Sequence, residues 1–426
     1  MNPKDVDRVL KAVDEHGEVI VALLQRLIRI PSVNHPPTGD EKAIQEFYCQ
    51  HLRTMGLVTQ IFEADELPEF ADHPGRLREH CMKDRPDVVG VLTGAGGGRS
   101  LMLVAHADVE LPGGKEQWSD RDAFSGALRD GRVYGRGAGD DKWGMAIMAT
   151  VPRILATAGF RLHGDLLVCS VTDEEQAGSN GAVALVCKGY QADACLLLDG
   201  CNEAVFPANL GGGNCDIQLS VPSPQTDARP LLDYFDHFRR AIRRFGKRRE
   251  RKFLKHRYYS QGLYPGRAVR LSNICLGTDD VTRGSFRVWF YLLPGERADD
   301  IQARFEACLS VSRGEGRFAV RWLSRFVPAS EVDEAHPFVA CLRDAFSTAT
   351  GRPAEIHGGP MSDAGVLNPY GAYPCVAFGP GHMGKEGAVH LADEFITADE
   401  LMSSLKTAVI AAMSWCGYST GGTETA

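Results

Sequence analysis

Short unbroken runs of apolar residues alternate along the chain with stretches in which apolar residues recur every three or four positions. The unbroken runs lie at 87–92, 100–105, 165–171 and 194–198. The periodic stretches lie at 4–30, 41–55, 145–158 and 398–415. Runs of the first kind predict buried strands, and stretches of the second kind predict helices that bury one face. Together they predict an α/β fold, in which helices flank a mixed, mostly parallel sheet.

The pattern changes near residue 214. From there to residue 323 it predicts strand, helix, strand, strand, helix and strand, which is the ferredoxin-like order. The first strand is expected at 215–221 and the first helix at 231–245, followed by an irregular basic span at 248–267. We therefore expect two domains. One discontinuous domain comprises 1–213 and 329–426, and a smaller α+β domain is inserted at 214–328.

Composition narrows the classes of function. The 426 residues carry a net charge of -8, which disfavours nucleic acid and anionic membranes as partners. No apolar run approaches the length that spans a bilayer, and the charged start at 1–18 predicts a cytoplasmic protein. The twelve cysteines form no Cys-x-x-Cys pair, so we expect reduced thiols and no zinc ribbon.

Acidic and histidine side chains follow three of the predicted strands. His106 and Asp108 follow the run at 100–105, the acidic segment 173–175 follows the next, and Asp199 follows the run at 194–198. Because the carboxyl ends of parallel strands share one edge of a sheet, we expect these side chains to lie together. For any single acidic position, capping of the following helix is the alternative interpretation.

Two further positions extend this set. Asp140 ends a glycine-rich segment that lacks the Gly-Lys-Ser/Thr ending of a phosphate loop, and His390 lies near the last helix. The candidate metal ligands are then His106, Asp140, Glu175, Asp199 and His390. Mixed imidazole and carboxylate ligands suit zinc, manganese or cobalt, so we expect one or two divalent ions. Glu174, beside a ligand, would be free to act as a general base.

The same residues stand in motifs that resemble one metallopeptidase family. That family includes aminoacylases, acetylornithine deacetylases, succinyl-diaminopimelate desuccinylases and bacterial glutamate carboxypeptidase. The similarity extends over nearly the whole chain. Its motifs are 28–33, 106–108, 135–142, 173–175, 198–200, 294–296, 379–381 and His390 before Glu394. The resemblance implies a zinc-peptidase-like fold and two metal sites that share Asp140. His106 and Asp199 would complete one site, and Glu175 and His390 the other.

The resemblance also implies roles for neighbouring residues. Asp108 would orient His106, and Glu174 would act as general base and acid. The peptide bond between Asp140 and Asp141 would be cis. The discontinuous domain would be the metal-binding catalytic domain. The inserted domain would serve as a lid or dimerisation domain and form a homodimer or a higher homo-oligomer.

The chain departs from the family at positions where family members bind their substrates. The segment 221–227 lacks the histidine expected there, and neither His237 nor His256 fits the motif. Tyr291 and Gly365 stand where the family has arginines. Replacement substrate-binding candidates are Arg287, Arg270 and His357, with Arg267 and Arg283 as further cations.

Three functions remain open at this point. The first is metal-dependent hydrolysis of a C–N bond in a small carboxylate-bearing molecule, of the N-acyl amino acid type. The second is hydrolytic deamination of an aromatic amino acid such as 5-nitroanthranilate, since an aminohydrolase branch belongs to the family. The third is a non-catalytic binding protein that keeps the fold.

Overall fold

The computed structural model describes residues 1–222, 227–260, 268–309 and 316–420. The α-helices in these ranges are α1 (Pro3–Asp14), α2 (Gly17–Ile28), α3 (Lys42–Thr54), α4 (Lys142–Thr157), α5 (Asn180–Cys187), α6 (Arg229–Phe253), α7 (Ala298–Leu309), α8 (Pro337–Thr350), α9 (Ala364–Gly371) and α10 (Ala398–Cys416). The strands are β1 (Asn34–His35), β2 (Thr38–Gly39), β3 (Val58–Phe62), β4 (Asp87–Leu92), β5 (Leu101–His106), β6 (Ala127–Arg129), β7 (Arg132–Tyr134), β8 (Phe160–Leu162), β9 (Leu166–Val171), β10 (Ala194–Leu197), β11 (Ala204–Ser220), β12 (Val269–Leu276), β13 (Arg283–Leu292), β14 (Arg317–Trp322), β15 (Ser330–Glu331), β16 (Ile356–Met361), β17 (Cys375–Gly379), β18 (Phe395–Thr397) and β19 (Tyr418–Thr420).

A mixed sheet forms the centre of the molecule. The four strands β17, β10, β5 and β9 are parallel neighbours, and the antiparallel strands β4 and β3 extend the sheet beyond β9. The residues of β5 are buried, as expected for a strand covered on both faces. The predicted fold class is therefore confirmed.

Two layers of helices cover this sheet. Helices α1, α2, α4, α8 and α10 pack on one face around Trp143 and Leu405, which are fully buried. Helices α5 and α9 pack on the other face, against Val104 and Phe206. Burial on both faces explains why the central strands are unbroken apolar runs in the sequence.

Strand β11 joins the central sheet to a second, antiparallel sheet. Its first half pairs with β15, β16 and β17, and its second half pairs with β13 and β14. We call the second half of β11, with β12, β13 and β14, the lid sheet. Its order in space is β12-β13-β11-β14, the order of a ferredoxin-like sheet. Helices α6 and α7 cover one face around Phe238, Phe286 and Phe305, which leaves the other face to line a cavity.

The chain enters and leaves the lid sheet at adjacent points. The amide of Gly212 donates to the carbonyl of Val327 at 2.9 Å, and the amide of Val327 donates back at 2.8 Å. A Cβ atom on Gly213 would lie 2.3 Å from the Phe326 ring, so a glycine is needed where the two segments meet. We keep the domain boundaries at 213/214 and 328/329 as a prediction, since β11 crosses the first of them without a break.

Two predicted helices differ from the structure. The stretch at 4–30 forms two helices, because hydrogen bonds at Glu15 and His16 close α1 before Gly17 begins α2. Apolar spacing continues across this break since both helices face one core. Helix α6 extends to Phe253, so an irregular span from 248 was wrong. Arg249 is tolerated on the buried face because Glu296 pairs with it at 2.7 Å.

Two strands also differ from the sequence prediction. Strand β11 begins at Ala204 and not near 215, because its first half is a central-sheet strand. Strand β16 was not predicted, since its glycines hide the strand pattern. A Cβ atom on Gly358 would lie 2.2 Å from the Tyr259 ring, and one on Gly359 would lie 2.5 Å from the Asn209 side chain.

The helices and the cysteines bear on the expected membrane and redox properties of the protein. None of the described helices is both long and apolar enough to cross a bilayer. No disulfide joins the described cysteines, and seven of the twelve are buried.

Gly144 in α4 lies close to the residue that follows β10, and this contact gives the first prediction. A Cβ atom on Gly144 would lie 2.6 Å from the Leu198 carbonyl oxygen and 2.8 Å from Asp141 Oδ1. We expect Gly144→Ala to lower the free energy of unfolding by about 1–3 kcal/mol through overpacking. Urea denaturation measures this change.

The matched control is Gly246→Ala in α6, where the nearest atom to the new Cβ is 3.8 Å away. There the higher helix propensity of alanine should leave stability unchanged or raise it by up to about 1 kcal/mol. Equal effects of the two substitutions would contradict the steric argument.

Candidate metal centre

The candidate site lies at the carboxyl ends of the central strands. Strand β5 ends at His106, Asp173 to Glu175 follow β9, and Asp199 follows β10. These ends form one wall of a cavity of about 780 Å³. The site therefore sits where parallel α/β sheets hold their ligands.

Asp140 is the centre of this arrangement. Its Oδ1 lies 2.9 Å from His106 Nε2, and its Oδ2 lies 3.0 Å from His390 Nε2. His390 Nε2 is also 3.2 Å from Glu175 Oε1. Ligand atoms of His106, Asp140 and Asp199 lie within 4.8 Å of one another. Each oxygen of one carboxylate thus faces a different histidine, as a bridging ligand requires.

The glycine segment before Asp140 is held by Glu394. Glu394 is fully buried, and its Oε1 accepts from the amides of Gly137 at 3.1 Å and Gly139 at 2.7 Å. Its Oε2 accepts from Arg136. The peptide bond between Asp140 and Asp141 is cis, as the resemblance implies. Glu394, known from the sequence only as part of a motif, therefore orients the turn that presents Asp140.

Asp108 makes contacts that the sequence did not predict. The Nδ1 atom of His106 lies 2.9 Å from the main-chain carbonyl of Asp108, whereas the nearer carboxylate oxygen is 3.7 Å away. That carboxylate instead accepts from the amides of Glu174 and Glu175, both at 3.0 Å, and from Asn34 at 2.8 Å. Asp108 thus contacts His106 through its backbone and fixes the turn of the two glutamates with its side chain.

A buried ionic network lies beneath this turn. Asp173 Oδ1 is 2.8 Å from both Arg85 Nη1 and His80 Nδ1. Arg85 also pairs with Glu41, and both side chains have no exposed surface. Breaking a buried pair leaves an uncompensated charge, so these residues constrain one another strongly. Contacts of this kind join distant segments, and no local sequence signal marks them.

The site concentrates negative charge. Burial raises the pKa of Asp199 to about 8, and the neighbouring Asp140 adds to that shift. Burial likewise raises the pKa of Glu175 to about 7 and that of Glu174 well above its usual value. Burial opposes ionisation of Asp140, but hydrogen bonds from His106 and His390 keep its pKa low. A cation among these side chains would relieve the repulsion, so the donor set fits divalent metal ions.

The lid sheet forms the opposite wall of the cavity. Arg270, Trp289 and Tyr291 line it, together with Phe253 at the end of α6. Arg270 Nη1 donates to Tyr291 Oη at 3.0 Å, and no carboxylate of the described residues lies within ion-pair distance of Arg270. Arg287 also lines the cavity, but Asp216 binds it with two hydrogen bonds of 2.7 and 3.0 Å.

The other substrate-binding candidates lie elsewhere. His357 Nε2 is 2.9 Å from Glu355, and it is not among the described residues that line the cavity. Arg283 lines a separate surface cavity beside Asp280. Arg267 lies outside the described residues, as does most of the segment at 221–227. Aromatic lining of the cavity was not predicted, because the alternation of Trp289 and Tyr291 in β13 resembles that of any amphipathic strand.

Comparisons with known proteins agree with this geometry. Residues 102–413 match the peptidase family M20/M25/M40. The N-formyl-4-amino-5-aminomethyl-2-methylpyrimidine deformylase of Bacillus subtilis (strain 168) is 25% identical, with 95% of this chain and 96% of that protein covered. A succinyl-diaminopimelate desuccinylase of Stenotrophomonas maltophilia (strain R551-3) is 26% identical, with 71% of this chain and 80% of that protein covered.

Solved structures share the fold across nearly the whole chain. Human carnosine dipeptidase 1 has a TM-score of 0.74 at 12% identity, with 96% of this chain and 99% of that chain covered. The di-peptidase Dug1p from Saccharomyces cerevisiae has a TM-score of 0.75 at 13% identity, with 96% and 98% covered. The resemblance found in the sequence is confirmed: the chain belongs to peptidase family M20/M25/M40 and is a metal-dependent amidohydrolase.

Proposed function

We propose that the protein hydrolyses the amide bond of a small N-acylated compound that carries a carboxylate. The observation that supports this most directly is the placement of Asp140 between His106 and His390. One or two divalent ions held by these side chains with Glu175 and Asp199 would activate water and polarise the scissile carbonyl. Zinc, manganese and cobalt suit this ligand set.

Glu174 is the proposed general base. It lines the cavity, and the backbone N–H groups of Glu174 and Glu175 both donate to the Asp108 carboxylate. In this position it would accept a proton from the attacking water and return it to the leaving nitrogen. Asp108 and Asn34 would act as positioning residues, because they hold the turn without facing the substrate.

Arg270 is the proposed contact for the substrate carboxylate. It lies in the lid sheet across the cavity from the metal-binding side chains. Its guanidinium donates to Tyr291 Oη and keeps further donors for a ligand. Arg287 is less suited to this role because two nitrogens of its guanidinium already donate to Asp216. Tyr291 and Arg270 together would take over from the arginine that the family has at position 291.

Deamination of an aromatic amino acid, such as 5-nitroanthranilate, is the second candidate. Phe253, Trp289 and Tyr291 line the same cavity and offer aromatic surface to a ring. A relative whose name specifies an N-formyl aminomethylpyrimidine also acts on a compound with an aromatic ring. Deamination releases ammonia and puts a hydroxyl group on the ring, whereas amide hydrolysis liberates the acyl group as a separate carboxylic acid, so the products distinguish the two reactions.

The lid sheet is also the proposed contact for a homodimer or a higher homo-oligomer. Its outer strands β12 and β14 each pair with a neighbour on one side only among the described strands. Exposed edges of this kind can pair with a second chain. We further propose a cytoplasmic location, because the spacing of the twelve cysteines is not that of a disulfide framework.

Loss of the general base gives the first functional prediction. We expect Glu174→Gln to lower kcat by about 10²- to 10⁴-fold, because the glutamine cannot accept the proton of the water. Metal content should stay at the wild-type level, and a chelator should abolish wild-type turnover until divalent ions are restored. Steady-state kinetics on N-acyl amino acids, with metal analysis of each protein, provide the measurement. The control is Glu116→Gln, an exposed side chain in the loop after β5, which should keep wild-type turnover.

Loss of Arg270, the proposed contact for the substrate carboxylate, gives the second functional prediction. We expect Arg270→Gln to raise KM for an N-acyl amino acid by about 10- to 100-fold, since a charge-assisted hydrogen bond contributes about 1.5–3 kcal/mol. The wild-type preference for the free acid over its carboxamide should disappear in this variant. Arg283→Gln, on a neighbouring strand of the lid sheet but outside the cavity, is the control. A preference for the free acid that survives in Arg270→Gln would assign the contact to another residue.

A further inference from the structure

Glu110 lies beside the second histidine of the metal centre. One carboxylate oxygen of Glu110, one of Glu175 and a ring nitrogen of His390 lie within 4.8 Å of one another. The three residues come from separate segments: the loops that follow β5 and β9, and the segment before β18. Glu110 also lines the cavity. The resemblance gives it no role.

Hydrogen bonds hold the Glu110 carboxylate in place. Its Oε1 accepts from Gln176 Nε2, and its Oε2 accepts from the Leu111 amide at 3.2 Å. The amide of Glu110 itself donates to Glu175 Oε1 at 3.1 Å. The backbone of Glu110 therefore links its own side chain to the carboxylate of Glu175. Hydrogen bonds that fix the orientation of a carboxylate are a common feature of metal ligands.

The spacing fits coordination of one ion. Nitrogen and oxygen ligands lie about 2.0–2.2 Å from zinc, so the ligand atoms around a tetrahedral ion are about 3.3–3.6 Å apart. Three ligand atoms within 4.8 Å of one another therefore come into range of one ion when their side chains turn inward. We propose that Glu110 is an additional protein ligand of the ion held by Asp140, Glu175 and His390. This inference rests on the metal centre of the proposed function.

The proposal makes the two metal sites unequal. The site of His106, Asp140 and Asp199 has three protein ligands, whereas the site with Glu110 has four. An extra carboxylate adds negative charge and an oxygen donor, which strengthens binding of a divalent ion and favours manganese relative to an imidazole-rich site. The site with Glu110 is therefore the tighter of the two, and the other keeps more open coordination positions for substrate.

Titration of the metal-free protein with Co²⁺ tests this arrangement. Calorimetry gives the affinity of each binding event, and visible absorption reports the ligands around cobalt. We expect Glu110→Gln to weaken the tighter event at least 10-fold and to change its spectrum, and Glu110→Ala to weaken it further. Glu116→Gln removes the same charge from an exposed position of the same loop and should match the wild type. Circular dichroism of the metal-free variants controls for folding.

The outcomes separate this inference from the proposed activity. Unchanged Co²⁺ affinity and spectrum in both Glu110 variants would overturn it, and a raised KM alone would place Glu110 at the substrate instead. Wild-type protein that binds the ion through Glu110 but cleaves no amide would leave the inference standing while the proposed function fails. Wild-type protein that binds no divalent ion would overturn both.

Discussion

Repulsion between carboxylates at one edge of the central sheet is the constraint on which the rest of the structure depends. Asp140, Glu174, Glu175 and Asp199 converge there, and burial raises the pKa of three of them. Two histidines reach the same point, and a buried guanidinium, that of Arg85, compensates Asp173 just below. Divalent cations among Glu174, Glu175 and Asp199 would favour their ionised forms, which links the fold of this edge to metal binding.

Much of the metal centre could be predicted from the sequence because three of its parts follow strand ends. An unbroken apolar run fixes β5 and β9, and the polar residue after each run must then lie at the shared edge. The meeting of Asp140 and His390, which are 250 positions apart, needed the family resemblance. The alternating order of strands and helices in the middle of the chain was enough to predict the lid sheet.

The residues that orient the ligands could not be found in this way. Asn34, Arg85 and Glu394 act through contacts that form only when distant segments are packed, and each is an ordinary polar residue in its local sequence. The same holds for Arg270: among the described residues no carboxylate pairs with it, and this difference from Arg287 is visible only in three dimensions. Helix α6 ran past its predicted end for a similar reason, since Glu296 neutralises its buried arginine.

The hydrogen-bonded pair of Gly212 and Val327 has an evolutionary consequence. Because the chain enters and leaves the lid sheet at this one point, the intervening segment can change in length or sequence without altering the register of the central strands. The departure at Tyr291 lies within that segment, whereas Gly365 and Asp140 with its histidines lie outside it. Selection can therefore alter the wall proposed to contact the substrate without moving the side chains proposed to bind metal.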